Sequence, residues 1–331
     1  MFKLTSLNLN GIRSATTKGL EPWMLQHRAD CICVQEVKAQ APDVIGRFDE
    51  LAGLKGYFHF AEKKGYSGVG VYSRHEPSDV IAGFGSPEFD AEGRYLELRF
   101  DTPKRALSII SAYFPSGSSG PERQEAKYRF LDGFRPHLDV LRAEREFVLC
   151  GDVNIAHQPI DLKNWRSNQK NSGFLPQERQ WMTDLLQQGG LVDVYRHLEP
   201  TATDDAYTWW SNRGQAYAKN VGWRLDYHLA SPTVAHQARR ATIYKAELQV
   251  TDLFRFTTVR ALSKHLQEEG HEVFVLDNLS FGRRELAGVP DNRFFNADIR
   301  DRAATQKVLD ETRPNIVLHL AAIHFIPYCN Q

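Results

Sequence analysis

Phe147-Val148-Leu149-Cys150-Gly151-Asp152-Val153-Asn154 is an apolar run that stops at Gly151 and then presents a carboxylate and a carboxamide. A continuous apolar run fits a buried strand, and a glycine after it lets the backbone turn. Asp152 and Asn154 are two residues apart, so in extended geometry their side chains share a face at the strand's C-terminal end. An acceptor-only carboxylate beside an amide that donates and accepts can orient a water next to a metal ion or a phosphate. The same pair also fits an Asx turn that closes the strand, so other stretches must decide.

The chain of 331 residues is long enough for one large domain or two ordinary ones. With 42% hydrophobic and 25% charged residues it has the make-up of a globular protein, which argues against disorder. Lys plus Arg and Asp plus Glu both number 41, so no global basic field advertises a nucleic-acid partner and only a local basic groove remains open. Cys31 and Cys33 alternate inside an apolar run, which suits reduced, buried thiols of a cytoplasmic protein. Met1 leads straight into Phe2–Asn8, which alternates like a strand, and no apolar run has membrane-spanning length, so neither export nor a membrane partner is expected.

Several other stretches end in polar tips. The first strand closes at Asn8-Leu9-Asn10-Gly11-Ile12-Arg13, and a second apolar strand from Asp30 closes at Glu36. A carboxylate there needs a partner because a lone buried charge is costly, and a metal ion would supply one. From Tyr57 to Phe114 short alternating runs separated by Gly, Asp and Pro predict antiparallel sheet, the last of them ending at Tyr113-Phe114-Pro115. Glu122 to Arg142 carries helical spacing, which Pro136 should kink or interrupt.

Asp161 to Gly173, with Lys163, Asn164, Arg166, Asn168, Lys170 and Asn171, reads as a long loop too polar to pack. Its cations and amides suit phosphate oxygens, or simply solvent. Thr208-Trp209-Trp210 and Gly222–Tyr227 read as strands; their tryptophans near Asp226 serve either as core or as the wall of a pocket for a sugar or base.

Asn8-x-Asn10-Gly11-x-Arg13, Gln35-Glu36-x-Lys38, Tyr113-x-Pro115, Gly151-Asp152-x-Asn154, Asn171-Ser172-Gly173-Phe174-x-Pro176 and Asn220-Val221-Gly222-Trp223-Arg224-Leu225-Asp226-Tyr227 stand in one order along the chain. Over about residues 1 to 248 they resemble the exonuclease III family of AP endonucleases, within the endonuclease/exonuclease/phosphatase superfamily. The resemblance implies an α/β fold, a four-layer α/β sandwich of two packed sheets flanked by helices. It also implies a Mg²⁺-dependent DNA-repair phosphodiesterase that cuts duplex DNA 5′ to abasic sites, often with 3′–5′ exonuclease activity at 3′ ends; separately, a monomer is expected.

Carried onto this sequence, the family's metal cluster falls on Glu36, Asn8 and Asp252. Asp152 would deprotonate the attacking water, Asn154 would fix the phosphate or that water, Tyr113 would contact the phosphate, and Asp226 would lie near the metal or the scissile group. Trp209, Trp223 and Leu225 match the lining of the abasic-sugar pocket, and Asn168 and Asn171 match positions that contact the DNA backbone. Carboxylates, amides and water are hard ligands that favour Mg²⁺ or Mn²⁺ over zinc.

One element of the pattern is missing. The family's last strand is preceded by Ser-Asp-His, whose histidine hydrogen-bonds the scissile phosphate, whereas here Val250-Thr251-Asp252 is followed by Leu253. Leucine can neither donate to phosphate nor transfer a proton, and loss of such a group typically costs ~10²–10⁴-fold in rate. His228, His236 and His265 do not fit the motif. A catalytically impaired DNA-binding remnant is therefore the competing reading.

Beyond residue 257 strands and helices alternate, which predicts a parallel βαβ unit over 258–331. This partial Rossmann-like segment resembles the N-terminal part of NAD-dependent nucleotide-sugar epimerases, with Asp277 at the ribose position and Asp298-Ile299 near the adenine. Yet Asp252 to Thr258 holds no glycine, so the backbone cannot approach a pyrophosphate closely, and no Tyr-x-x-x-Lys pair follows. No nicotinamide cofactor is expected, and an NAD-dependent epimerase is the less favoured of the alternative readings.

Overall fold

The structure, a computed structural model, describes residues 2–244, 263, 266–277, 284, 287–298 and 301–315. Asp252 and Leu253 lie outside the described residues. The chain divides into two compact units, Met1–Tyr244 and Lys245–Gln331.

In the first unit the strands are β1 (Leu4–Asn8), β2 (Cys31–Gln35), β3 (Glu50–Leu51), β4 (Leu54–His59), β5 (Val69–Ser73), β6 (Asp79–Ala82), β7 (Tyr95–Thr102), β8 (Arg105–Tyr113), β9 (Glu146–Asp152), β10 (Val192–Asp193), β11 (Trp209–Trp210), β12 (Gly222–Trp223) and β13 (Asp226–Ala230). One sheet has the order β1-β2-β5-β4-β3 and another the order β10-β13-β9-β8-β7-β6, with β11 and β12 forming a separate ribbon. The antiparallel runs expected between Tyr57 and Phe114 are thus split between two sheets, because the chain crosses from one to the other between Ser73 and Asp79. Each sheet also holds one parallel pair, β1 with β2 and β8 with β9.

The apolar residues explain why these sheets stack. Along β9, Phe147 and Leu149 point to one face and Val148 and Cys150 to the other. The first face packs on Phe130, Phe134 and Leu138 of the helix Pro121–Glu144 and on Met182 and Leu185 of the helix Pro176–Gln187. The second face meets Cys31, Cys33, Val69 and Val71 of the other sheet. That other sheet turns Ile32, Val34 and Tyr72 outward onto Ile12, Leu20 and Met24 of the helices Ile12–Thr17 and Leu20–His27. Three apolar interfaces separate helix, sheet, sheet and helix, which is the four-layer sandwich. Both sheets are covered on both faces at their centres, and continuous runs such as Cys31-Ile32-Cys33-Val34 are the consequence.

Two local expectations need correction. The helix Pro121–Glu144 runs uninterrupted through Pro136. Pro136 and Asp132 are exposed, so the Asp132 carbonyl that the proline cannot bond is on the solvent face, while Phe130, Phe134, Leu138 and Leu141 pin the opposite face. The Asp161–Gly173 segment does pack at its start: Asp161 and Leu162 are buried, and Pro159–Asp161 and Trp165–Asn168 form single helical turns. Asp161 accepts from Arg224 Nε at 2.8 Å and Arg196 Nη2 at 2.7 Å, and Arg224 also reaches Asp193 at 2.7 Å. Burial pushes the Asp161 carboxyl up, but the two guanidinium groups hold it below the usual carboxylate range. That network anchors the otherwise polar loop.

In the second unit, Val275–Asp277 (β14) pairs in parallel with Phe294–Asn296 (β15), the arrangement expected of a βαβ unit. The helix Arg302–Thr312 follows, its first turn capped by Asp301, which accepts from the backbone N–H of Ala303 and Ala304 at 3.0 Å each.

Candidate active site

The register of the second sheet places Tyr113, Asp152 and Asp226 on one rung across β8, β9 and β13. Asn8 ends β1 and Glu36 follows β2, so both sheets deliver polar groups to the same end of the sandwich. The Asn8 carboxamide joins them. Its Nδ2 donates to Glu36 Oε1 at 3.0 Å and to Asp152 Oδ2 at 3.1 Å, so one amide's two N–H groups bridge a carboxylate from each sheet. Its own oxygen accepts from the Asn10 N–H at 3.0 Å. Glu36 adopts a left-handed backbone (φ 52°), and the neighbouring loop is tied down by Gly11 N–H donating to the Glu36 carbonyl at 2.7 Å.

Asn154 also has a left-handed backbone (φ 55°), so the extended geometry that would align its side chain with Asp152 does not persist. Instead its N–H donates to Asp152 Oδ1 at 3.0 Å, and its Nδ2 donates to the Phe114 carbonyl at 3.0 Å. The strand therefore closes in an Asx turn, and that turn itself orients Asp152 in the polar cluster.

Gly151 lets β9 approach β8. A Cβ at this position would lie 2.1 Å from the Ala112 carbonyl oxygen, a backbone atom that cannot rotate away. Gly151→Ala is therefore expected to push β8 from β9 and cost about 1–3 kcal/mol. Chemical denaturation measures the loss; an unchanged midpoint would contradict the crowding.

The electrostatics are those of crowded acids. Burial, then Asp226 and Glu36, push the Asp152 carboxyl well above the usual carboxylate range. Asp226 is pushed up to about 6, chiefly by burial, against the Thr208 hydroxyl and the His228 charge that pull it down. Burial also raises Glu36, but Lys38, Asn8 and Tyr113 outweigh it and leave that carboxyl below its ordinary value. Lys38 Nζ sits 2.5 Å from Glu36 Oε2 and 2.6 Å from Asn10 Oδ1.

Among the described residues no three His, Cys, Asp or Glu side chains are grouped to hold a metal ion. Mg²⁺ does not need such a cage, since it keeps several waters and takes one or two carboxylates plus substrate phosphate. Glu36, facing an acid-rich rung, offers such a carboxylate, whose oxygens are held here by Asn8 Nδ2 and Lys38 Nζ, and the Asn8 oxygen is that amide's one ligating atom.

The remaining sequence-predicted residues lie on the 164–226 segment. Asn171 Nδ2 donates to Asn168 Oδ1 at 2.7 Å, and Asn168 Nδ2 donates to the Asn164 carbonyl at 3.0 Å, so both amides are fixed by local bonds. Trp209 is 45% exposed and meets the half-buried Trp223 edge to face at 6.4 Å. Leu225 is buried beside Phe174, Leu162 and Ala156, behind Trp223. The Gly222–Tyr227 stretch is not one strand: β12 and β13 are separated where Arg224 turns inward to its two aspartates.

Sequence reading missed Arg94. The residue is 1% exposed, Nη1 donates to the Tyr113 carbonyl at 2.9 Å, and the guanidinium lies 4.9 Å from the Tyr113 ring centre. Nothing in the local pattern distinguishes it from a surface arginine.

Residues 5–252 match the endonuclease/exonuclease/phosphatase family. An exodeoxyribonuclease of Bacillus subtilis (strain 168) is 38% identical over 243 residues, covering 73% of this chain and 93% of the relative. The chain belongs to the endonuclease/exonuclease/phosphatase family. A DNA repair nuclease of Danio rerio is 38% identical over 235 residues, 70% of this chain and 73% of the relative. The structure of an AP endonuclease from Archaeoglobus fulgidus superposes with a TM-score of 0.63 at 28% identity, covering 72% of this chain and 90% of that one.

These relatives of the family bear out a hydrolase of DNA phosphodiester bonds with the four-layer fold. The family match ends at Asp252, immediately before Leu253, and residues 260–331 match the NAD dependent epimerase/dehydratase family.

Proposed function

We propose that this chain is a DNA-repair phosphodiesterase of the exodeoxyribonuclease III type that hydrolyses duplex DNA 5′ to abasic sites and at 3′ ends, as a cytoplasmic monomer using Mg²⁺. The observation that carries it is the Asn8 carboxamide holding Glu36 and Asp152 together from two sheets, with Tyr113 and Asp226 on the Asp152 rung. Asp152 takes the proton from the attacking water, and its raised proton affinity makes it a stronger base than an exposed aspartate. Tyr113 is protonated at neutral pH, its hydroxyl pushed further above its ordinary value chiefly by burial, and donates to phosphate oxygen. Asn154 holds Asp152 in its rotamer by the Asx turn. Mg²⁺ on Glu36 and Asn8 would offset charge on the phosphate oxygens. Asn168 and Asn171 take the DNA backbone, and Trp209 and Trp223 wall the sugar pocket, backed by Leu225.

Nicking of a duplex with one abasic-site analogue tests the reading. Metal-dependent cleavage on the 5′ side supports it. Normal DNA affinity with no turnover at any metal concentration would select the alternative, a DNA-binding remnant, which Leu253 at the histidine position favours.

Metal binding also has a readout apart from turnover. Asp152 and Asp226 have folded-state proton affinities above their unfolded values. These two groups therefore bind more protons in the folded state above about pH 4, up to about pH 6 for Asp226, and their contribution to stability without metal falls as pH rises through that window. Mg²⁺ favours the ionised cluster, so its stabilisation grows as pH rises through the same window. Thermal midpoints at about pH 5 and about pH 7, with and without Mg²⁺, measure this. A Mg²⁺ shift absent at both pH values, or equal at both, would remove the cation from this site.

A further inference from the structure

Lys127 and Glu178 form an ion pair at 2.6 Å with both side chains 0% exposed, outside the polar cluster that does the chemistry. Burying two charges is expensive unless every lone pair and proton is used, so the partners of each matter. Lys127 Nζ donates to Glu178 Oε1 and, at 2.8 Å, to the carbonyl of Asn154, the residue whose N–H orients Asp152. Glu178 Oε1 also accepts from Gln124 Nε2 at 3.0 Å. Glu178 Oε2 accepts from the backbone N–H of Gly173 at 2.7 Å and of Leu175 at 3.0 Å, immediately after the loop that carries Asn168 and Asn171. Between the two loops, the Ala156 N–H donates to the Gly173 carbonyl at 2.8 Å. The pair thus ties the helix Pro121–Glu144, the turn after β9 and the asparagine loop to one point.

A neutral side chain would suffice to cap the helix Pro176–Gln187, since the two loop N–H groups need only an acceptor. What the charge adds is reach: the ammonium holds the Asn154 carbonyl and the carboxylate at once, with geometry that a neutral pair of similar size cannot reproduce. We infer that Lys127 and Glu178 are positioning residues that hold the Asp152 turn and the DNA-contacting asparagine loop in one register.

This inference rests on the proposed nuclease reading for its catalytic consequence alone; the structural coupling stands apart from it. The test uses the full chain carrying Lys127→Met together with Glu178→Gln. Methionine fills the lysine's volume, and glutamine keeps an oxygen for the Gly173 and Leu175 N–H groups, so neither charge is left buried alone. Hydrogen exchange is expected to show amide protection lost together at 152–156 and 171–175, with protection in the helix Pro121–Glu144 unchanged. In the nicking assay kcat is expected to fall about tenfold or more, because small misplacements of a reacting group are costly, with KM for DNA changed less. Protection unchanged at both loops, or lost throughout the chain, would overturn the positioning role. So would a wild-type kcat in the double variant. If the wild-type chain cleaves no DNA at all, the nuclease reading fails on its own, and the exchange pattern alone decides the inference. Lys127→Arg checks the chemistry, since a guanidinium that restores protection at both loops supports a charge-borne tie, and one that leaves them as open as methionine does would count against it.

Discussion

Asp152→Asn is expected to lower nicking of an abasic-site duplex by about 10²–10⁴-fold, the range for losing a positioned general base. The substitution keeps the side chain's shape and an oxygen to accept from the Asn154 N–H, so the turn after β9 is retained, but its new NH2 faces Asn8 Nδ2 and that bond is lost because both groups donate. It also removes one charge from a rung where burial, Asp226 and Glu36 all disfavour that charge. Relief of that charge offsets the lost Asn8 bond, so stability should stay within about 1 kcal/mol of the wild type, and affinity for the phosphate backbone should stay level or tighten because one repulsive carboxylate is gone. This combination separates a catalytic base from a structural acid, whose loss would weaken folding and binding together. Turnover within about tenfold of the wild type would remove Asp152 from its role as base.

Much of the fold was legible because the strands at the centre of both sheets are covered on both faces, and continuous apolar runs such as 147–150 and 31–34 show that directly. The edges were less legible. Whether the alternating runs from Tyr57 to Phe114 form one sheet or two depends on where the chain crosses between Ser73 and Asp79, and alternation alone carries no sheet assignment. Pro136 misled because the cost of a proline depends on which face it occupies, and the solvent face tolerates it.

At the site, the residue types of the polar tips were readable, and the register that aligns Tyr113, Asp152 and Asp226 was not. Register is a long-range property set by partner strands, so two residues at the ends of different runs give no sign that they are neighbours. The supporting charges were least visible. Lys127, Glu178, Arg94 and Arg224 sit among other charged residues in sequence, and only burial reveals that each is satisfied by a dedicated set of bonds. The left-handed Asn154 shows how two readings can hold together, since the Asx turn is what aims the carboxylate.

Leu253→His is the complementary gain-of-function prediction. The family match runs to Asp252 and the second family match begins at residue 260, so position 253 lies in the join. In the proposed reading Thr251 and Asp252 stand for the first two members of the family's Ser-Asp-His, and leucine takes the third. A leucine neither donates to the scissile phosphate nor moves a proton, so a wild-type chain with intact Asp152, Tyr113 and Glu36 would bind DNA yet turn over slowly. Supplying the imidazole is expected to raise kcat by about 10²–10⁴-fold with little change in DNA affinity.

The variant should need an ionised Asp152, which sets the rising limb at low pH, and a protonated ring, which sets the falling limb at high pH, giving a bell-shaped profile where the wild type shows only the rising limb. Combining Leu253→His with Asp152→Asn should cancel the gain, because the imidazole assists the phosphate and cannot replace the base. No gain from Leu253→His in a chain that binds abasic DNA and Mg²⁺ would mean that the join displaces position 253 from the phosphate. In that event the missing imidazole alone does not account for slow turnover.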